Sequence, residues 1–347
     1  MIEDREFRFQ LNMLRVGEES RNGDCICLRW GFNLDSDNPD QFVMIVDGGF
    51  ASNASALSRQ IKAIIKTGHI NALIITHPHV DHIGAIPLFL KDFMVDELIV
   101  SQPWRHQGLH DIFKPNLDVK TLERLGLKQL YEIVENANKI STLKVVEWYG
   151  GDVHIRKDVA IHVLGAKRTV YDDCIRVLNS DQSHIRALTE SEESKLTKFP
   201  DDDGDADPLN NSSYILAFSF EGLKRASSIC KKWILLTSDA GPRALRLAID
   251  AIDKERLDYQ ELRFLQLPHH GSINNLREDI LDSLIGDPSD AMDRPAGPGF
   301  AAASVSKRSD NMHPHSVVCN ALEARNMKVS STKEGTYTYN LRIRLDK

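Results

Sequence analysis

Short apolar runs alternate with stretches of helical spacing along most of the chain. Residues 7–16 and 25–30 read as β-strands around a polar turn of Gly, Glu and Asn. Residues 42–46 form a continuous apolar run that stops at Asp47-Gly48-Gly49, the pattern of a buried strand meeting a tight turn. In 55–66 the apolar residues Leu57, Ile61, Ile64 and Ile65 fall at helical spacing. Another buried-type strand follows at 72–75, then a short helix after Gly84 and a strand at 97–101. Residues 103–140 carry a mainly helical pattern, with strands at 143–148 and 159–164. The rhythm breaks over 167–209, a polar stretch ending in the acidic run 201–208, which reads as an exposed insertion. It is no EF-hand, because the twelfth position from Asp201 is Ser212 rather than Glu. Strands at 214–220, 233–237, 262–267 and 301–306 then alternate with helices at 245–252 and 316–324. Residues 286–299 read as a loop, and a closing strand pair is expected within 336–345. Strands alternating with helices predict an α/β architecture.

Composition narrows the class without naming a function. The 347 residues suffice to bury a large core without disulfide staples. Hydrophobic residues make up 41% and charged residues 27%, as in an ordinary globular domain. No apolar run reaches the roughly 18 residues of a membrane span, and the charged N-terminus lacks the apolar stretch of a signal peptide. The expectation is a cytoplasmic protein without membrane contact. Five cysteines, with Cys25 and Cys27 too close for a Cys-x-x-Cys motif, are expected to be reduced thiols. The net charge of −7 argues against a surface dominated by nucleic-acid-binding charge but allows a local basic groove.

The densest chemistry lies at Thr76-His77-Pro78-His79-Val80-Asp81-His82-Ile83-Gly84, directly after a strand. Three imidazoles and a carboxylate within so short a loop suit borderline divalent ions such as zinc, manganese or iron. No packing requirement calls for such a cluster. A second motif, Pro268-His269-His270-Gly271-Ser272, also follows a strand, and a third places Asp239 after Leu235-Leu236-Thr237-Ser238. Asp239 alone could be a helix N-cap; beside the histidines it reads as a carboxylate between two metals.

The order Asp47, His77-x-His79-x-Asp81-His82, Asp239, His269 resembles the metallo-β-lactamase fold of binuclear hydrolases. Closer still is the resemblance to the β-lactamase-like domain of the DNA-uptake protein ComEC and its stand-alone relatives. Five motifs carry it: Gly23-Asp24-Cys25-Ile26, Asp47-Gly48-Gly49, Asn210-Asn211-Ser212-Ser213, Pro268-His269-His270-Gly271-Ser272 and His313-Pro314 before a helix. The resemblance implies a four-layer αββα sandwich forming one domain over 7–347, with insertions at about 103–140 and 167–209. It implies that His77 and His79 hold a first ion, Asp81 and His82 a second, and that Asp239 bridges them. His269 is then a remaining ligand, and His270 a ligand or a substrate contact. Asp47 orients the metal loop through hydrogen bonds. Asn210-Asn211-Ser212-Ser213 stands where many hydrolases of this fold have a further histidine, so the third protein ligand of the first ion stays open; His184 is a candidate.

Two divalent ions, zinc or manganese, would then activate a bridging hydroxide, with Asp81 and His270 at the reacting centre and His313 assisting the leaving oxygen. The expected activity is a phosphodiesterase or nuclease on nucleic acid or a small phosphodiester. Arg105, Lys114, Lys120, Arg124 and Lys128 are candidate phosphate contacts or simply a solvated helix face. A small-molecule hydrolase acting on a cyclic nucleotide, lactone or thioester is the alternative, and a non-catalytic sensor a third. A protein partner or a homo-oligomer fits any of them. His106 and His110 read as surface residues, and His69, His154 and His162 as structural.

Overall fold

Period-two alternation builds two large sheets. In β1 (Glu6–Met13) Phe7, Phe9, Leu11 and Met13 turn to one face and are fully buried there. The structure, a computed structural model, describes residues 6–106, 126–165, 167–178, 195–200, 207–223, 230–289, 298–309 and 312–345. Beside β1 the first sheet holds β4 (Ile26–Phe32), β5 (Asp40–Val46), β6 (His69–Ile74), β7 (Met94–Ile99), β8 (Lys144–Val146) and β16 (Tyr337–Arg344). Its order is β16-β1-β4-β5-β6-β7-β8, antiparallel as far as β5 and parallel from there. A two-stranded hairpin, β2 (Gly17–Glu18) and β3 (Arg21–Asn22), projects outside it.

The second sheet mirrors this plan. It holds β9 (Val153–Arg156), β10 (Val159–Gly165), β11 (Ile215–Ser219), β12 (Trp233–Leu236), β13 (Leu262–Gln266), β14 (Gly299–Ala303) and β15 (Met327–Ser331). Strands β9 to β12 pair antiparallel and β12 to β15 parallel. The inner faces pack together through Phe9, Trp30, Ile74, Phe218, Leu236 and Phe264. On the outer face of the first sheet lie α1 (Ala54–Ile65), α3 (Ile86–Asp92) and α4 (Leu127–Ala137). The second sheet is covered by α7 (Pro242–Glu255), α8 (Glu278–Ile285) and α9 (Ser316–Ala324). Helix, sheet, sheet, helix: the layers are those of an αββα sandwich.

Several expectations change in detail. The predicted closing strand pair is divided between the sheets. Residues 337–344 form one strand, because Tyr339, Leu341 and Ile343 all need the inner face, and its partner is β1. The strand before it, β15, runs parallel to β14 in the other sheet. Of the expected helical stretch 103–140, the structure describes a 3₁₀ turn at Pro103–Arg105 and α4; His110, Lys114, Lys120 and Arg124 lie outside the described residues. The stretch 167–209 contains α5 (Arg168–Leu178) and α6 (Pro208–Asn211), while His184 and 201–206 lie outside the described residues.

His106 corrects an expectation outright. It is 1% exposed, its Nδ1 meeting Asp172 and its Nε2 lying 3.0 Å from Glu147 and 3.1 Å from the Tyr149 hydroxyl. Two carboxylates repay burial of an imidazole that sequence spacing alone assigns to solvent. All five cysteines are free thiols. Among the described residues, no helix is long and apolar enough to cross a membrane.

Candidate metal centre

The parallel halves of both sheets bring their carboxyl ends to one edge, and the chemistry gathers there. Asp47 follows β5, His77 and His79 follow β6, Asp239 follows β12, and His269 and His270 follow β13. Hydrogen bonds across the gap tie the loops together. Tyr214 N donates to Thr76 O at 3.2 Å, His269 N to Ser238 O at 3.1 Å, and the Thr76 and Ser238 hydroxyls meet at 2.7 Å. The single turn α2 (Val80–Ile83), entered from an extended His79, presents Asp81 and His82 to the same space. Four non-glycine residues here adopt the left-handed region: Asp47 (φ 62°), Ser238 (φ 49°), His269 (φ 46°) and His270 (φ 61°). Each such conformation costs on the order of 1 kcal/mol and persists only where its surroundings over-determine it.

Two groups of donor atoms result. His77, His79 and Asp239 form one, and Asp81, His82, Asp239 and His270 the other; within each, the donor atoms lie within 4.8 Å of one another. Asp239 belongs to both. Its Oδ2 is 3.9 Å from His77 Nε2 and 3.3 Å from His82 Nε2. Asp81 Oδ2 is 3.7 Å from His82 Nε2 and 3.9 Å from His270 Nε2. His77 Nε2 and His79 Nδ1 converge to 3.0 Å. His82 Nε2 and Asp239 Oδ1 are buried and have no hydrogen-bond partner. Orphaned polar atoms of this kind cost about 1–3 kcal/mol each unless something else binds them. Imidazole and carboxylate donors aimed at one space fit divalent ions of the zinc and manganese type.

The outward-facing ring nitrogens have their own polar neighbours. His82 Nδ1 lies 2.8 Å from Asp47 Oδ2, and His77 Nδ1 lies 3.1 Å from Thr76 Oγ1. His79 Nε2 faces Asp207 Oδ2 at 3.7 Å, and His270 Nδ1 faces Asp24 Oδ1 at 3.7 Å. Asp47 also accepts from Thr76 N at 2.8 Å and Thr76 Oγ1 at 2.7 Å, which is how it braces the loop. A third group of close donors, Asp24, Asp47 and His82, lies behind the His82 ring and is part of this outer layer.

His269 differs from its neighbour. It falls in neither principal donor group, although its Nδ1 is 3.9 Å from Asp239 Oδ2. That nitrogen lies 2.9 Å from the Asn210 side-chain amide. Of the histidine pair, it is therefore His270 that joins Asp81, His82 and Asp239. His313 and His269 line an adjoining cavity of about 230 Å³ together with Arg21, Asp81 and His270. His315 instead caps α9, its Nδ1 accepting from Val317 N at 3.2 Å. Asp239 caps no helix; α7 begins after Gly241.

Electrostatics separate the imidazoles. Burial, with His82 and His79 beside it, holds the His77 pKa well below its usual value, which favours the neutral imidazole that a metal requires. Burial also opposes charge on His82, yet Asp239, Asp47 and Asp81 around it push its pKa well up. Burial opposes ionisation of Asp239, but the three imidazoles of His82, His269 and His270 keep its carboxyl well below the usual range. The metal-free centre is thus a compact mixture of imidazolium and carboxylate charge.

Sequence reasoning gave no role to Asp24, Asp207, Gln266 or Arg21. Asp24 stands in a motif already singled out, but only the fold shows that it faces His270. Asp207 closes the acidic run, and the cap it provides to Leu209 N at 2.8 Å is its one local signal.

The profile of the Metallo-beta-lactamase superfamily matches residues 38–154, which include Asp47 and the His77–His82 loop. No curated protein matches the chain. Among solved structures the chain is similar to the metallo-beta-lactamase fold protein YhfI from Bacillus subtilis. Identity is 10% over 96% of this chain and 100% of that one, with a TM-score of 0.46. It is also similar to a diphosphatase from the PhnP family, with 10% identity, 98% and 100% of the two chains covered and a TM-score of 0.44. For a long form of RNase Z from yeast the identity is 12%, the coverage 98% and 49%, and the TM-score 0.39. The two sheets between helical layers are the architecture of the metallo-beta-lactamase fold.

Proposed function

We propose that this chain is a metal-dependent hydrolase that cleaves phosphodiesters, with nucleic acid as the preferred substrate class. The observation that carries the reading is Asp239, a buried carboxylate shared by two donor groups, one completed by His77 and His79 and the other by Asp81, His82 and His270. In this reading each group holds one divalent ion, zinc or manganese. Such ions supply Lewis acidity and bring the pKa of a water towards about 7.

The chain's own residues do the rest. Asp47 and Thr76 hold the metal loop in register. His269 and the Arg21 guanidinium line the cavity as donors for the non-bridging oxygens of a phosphate. His313, which lines the same cavity, gives a proton to the leaving oxygen. A cavity of about 230 Å³ takes one phosphodiester group with little more. A second cavity of about 530 Å³, lined by Arg15, Lys307 and Arg308 but also by Glu19 and Glu334, offers room for a longer chain and a small excess of positive charge. The first cavity taken alone favours the second reading, a hydrolase of small molecules. A non-catalytic sensor is disfavoured by the full donor set.

The deciding experiment incubates the purified chain with Mn²⁺ or Zn²⁺ and single- or double-stranded DNA, RNA or bis-p-nitrophenyl phosphate. His79→Ala and Asp81→Ala are the controls. Cleavage of polymer, lost in both variants, is the expected result. Cleavage of the small diester alone would favour the second reading, and a chain that binds no metal would sink both.

A further inference from the structure

Asp24 is a buried acid at the end of the polar turn before β4, 2% exposed, and no step above uses it. One of its oxygens is anchored: Gln266 Nε2 donates to Oδ2 at 2.8 Å. Gln266 is itself held, its Oε1 accepting from Thr237 N at 3.2 Å and Ser238 N at 3.1 Å. The carboxylate is thereby tied to the loop that carries Asp239. Its backbone is tied to the metal loop, since Asp24 N donates to Asp81 O at 3.2 Å. The other oxygen, Oδ1, is buried without a hydrogen-bond partner, and so is His270 Nδ1. These two orphaned atoms face each other at 3.7 Å.

We propose that Asp24 is a positioning residue for His270: its Oδ1 takes the Nδ1 hydrogen and so directs the lone pair on Nε2 toward Asp81, His82 and Asp239. The inference rests on the reading of His270 as a ligand. A neutral imidazole has one hydrogen and one lone pair on its ring nitrogens, and whatever bonds the outer nitrogen decides which faces inward. The gap exceeds an ordinary hydrogen bond by about 0.7 Å, within reach of a small side-chain rotation. Asp47 stands in the same relation to His82, at 2.8 Å. A buried carboxylate with one oxygen left unpaired is costly to keep. Bonding to His270 gives that oxygen a partner and gives the imidazole its orientation in one contact. No catalytic step falls to Asp24, because it lies behind the ring and not in the cavity lining.

The test uses the full chain and reads the tautomer directly. Long-range ¹H–¹⁵N NMR of the metal-free protein, at a pH where imidazole is neutral, should place the His270 hydrogen on Nδ1. In Asp24→Asn the amide oxygen can keep the Gln266 bond while its NH₂ turns to His270, so the hydrogen should move to Nε2. Calorimetric titration with Mn²⁺ should then show one ion weakened by about 10–100-fold and the other unchanged. A purely structural role would lower thermal stability without moving either readout. A wild-type His270 with its hydrogen on Nε2 overturns the proposal, as does an Asp24→Asn protein that binds both ions like wild type. If Asp24→Asn does not fold, the wild-type tautomer alone decides. If the wild type binds no Mn²⁺, the hydrolase reading fails separately, and the tautomer still answers for Asp24.

Discussion

Gly23 offers a direct way to move Asp81 without touching it. A Cβ at this position would lie 2.6 Å from the Asp81 carbonyl oxygen, 2.9 Å from a Val16 methyl and 3.2 Å from the Asp81 Cβ. Real Cβ contacts essentially never fall below 3.0 Å, and most exceed 3.4 Å. The neighbour is backbone, which cannot swing aside as a side-chain tip can. Gly23→Ala must therefore push the metal loop away by about 0.4–0.8 Å, at a typical overpacking cost of about 1–3 kcal/mol. That energy corresponds to a fall in Tm of a few degrees up to about 10 °C. Misplacing a reacting group by 1 Å costs on the order of 100-fold, so a shift of half that size should lower turnover about tenfold. Gly68→Ala is the matched control, because nothing lies within 4 Å of its added Cβ. The assays are thermal unfolding, Mn²⁺ titration and hydrolysis of bis-p-nitrophenyl phosphate. Gly23→Ala with wild-type metal affinity and turnover would refute the claim that this turn sets the place of Asp81. Lost stability with unchanged metal affinity would mean that the strain relaxes toward Val16 instead.

Further expectations concern charge and metal. The raised His82 pKa means that its charge stabilises the metal-free fold fully below about pH 6.5, and that this contribution is lost as pH rises through the folded value. Asp239, lowered, contributes above about pH 3.8 and loses its contribution as pH falls through its folded value. Urea unfolding in EDTA across pH tests both, and a flat profile on the alkaline side contradicts the first. Because a ligating His82 must be neutral, metal binding should release protons and tighten with rising pH, by up to about tenfold per unit; calorimetry in buffers of different ionisation enthalpy counts the protons. Removing the ions should lower stability by about 2.7 kcal/mol for each ion, relative to protein at 100-fold Kd of free metal, read as a shift in Tm. His106→Ala should cost about 2–3 kcal/mol in chemical denaturation by stranding Glu147 and Asp172, yet leave metal binding unchanged, since none of its partners is a donor of the centre. Asp207→Ala should weaken metal binding only about three- to tenfold, because its side chain is 38% exposed and water can take its place on His79.

Much of the molecule could be read from the chain alone, for an identifiable reason. Strand alternation and helix spacing are local, so the inward residues of β1 and the helix over 54–65 follow from their own sequence. The His77–His82 loop is also local: its ligand types are packed into one turn, and little else accounts for them. Tertiary structure decided what depends on contact between distant segments. Only the meeting of β4 with the β13 loop shows Asp24 behind His270, across 246 positions of sequence. Only the fold, which sets Asn210 beside His269, separates the two adjacent histidines: both line the cavity, but His270 is the one that joins a donor group. The same holds for His106, which has no local sign of burial and is held inside by carboxylates 41 and 66 residues away. Side-chain chemistry names the atoms that can bind a metal; which nitrogen faces inward is set by neighbours that the chain brings together only on folding.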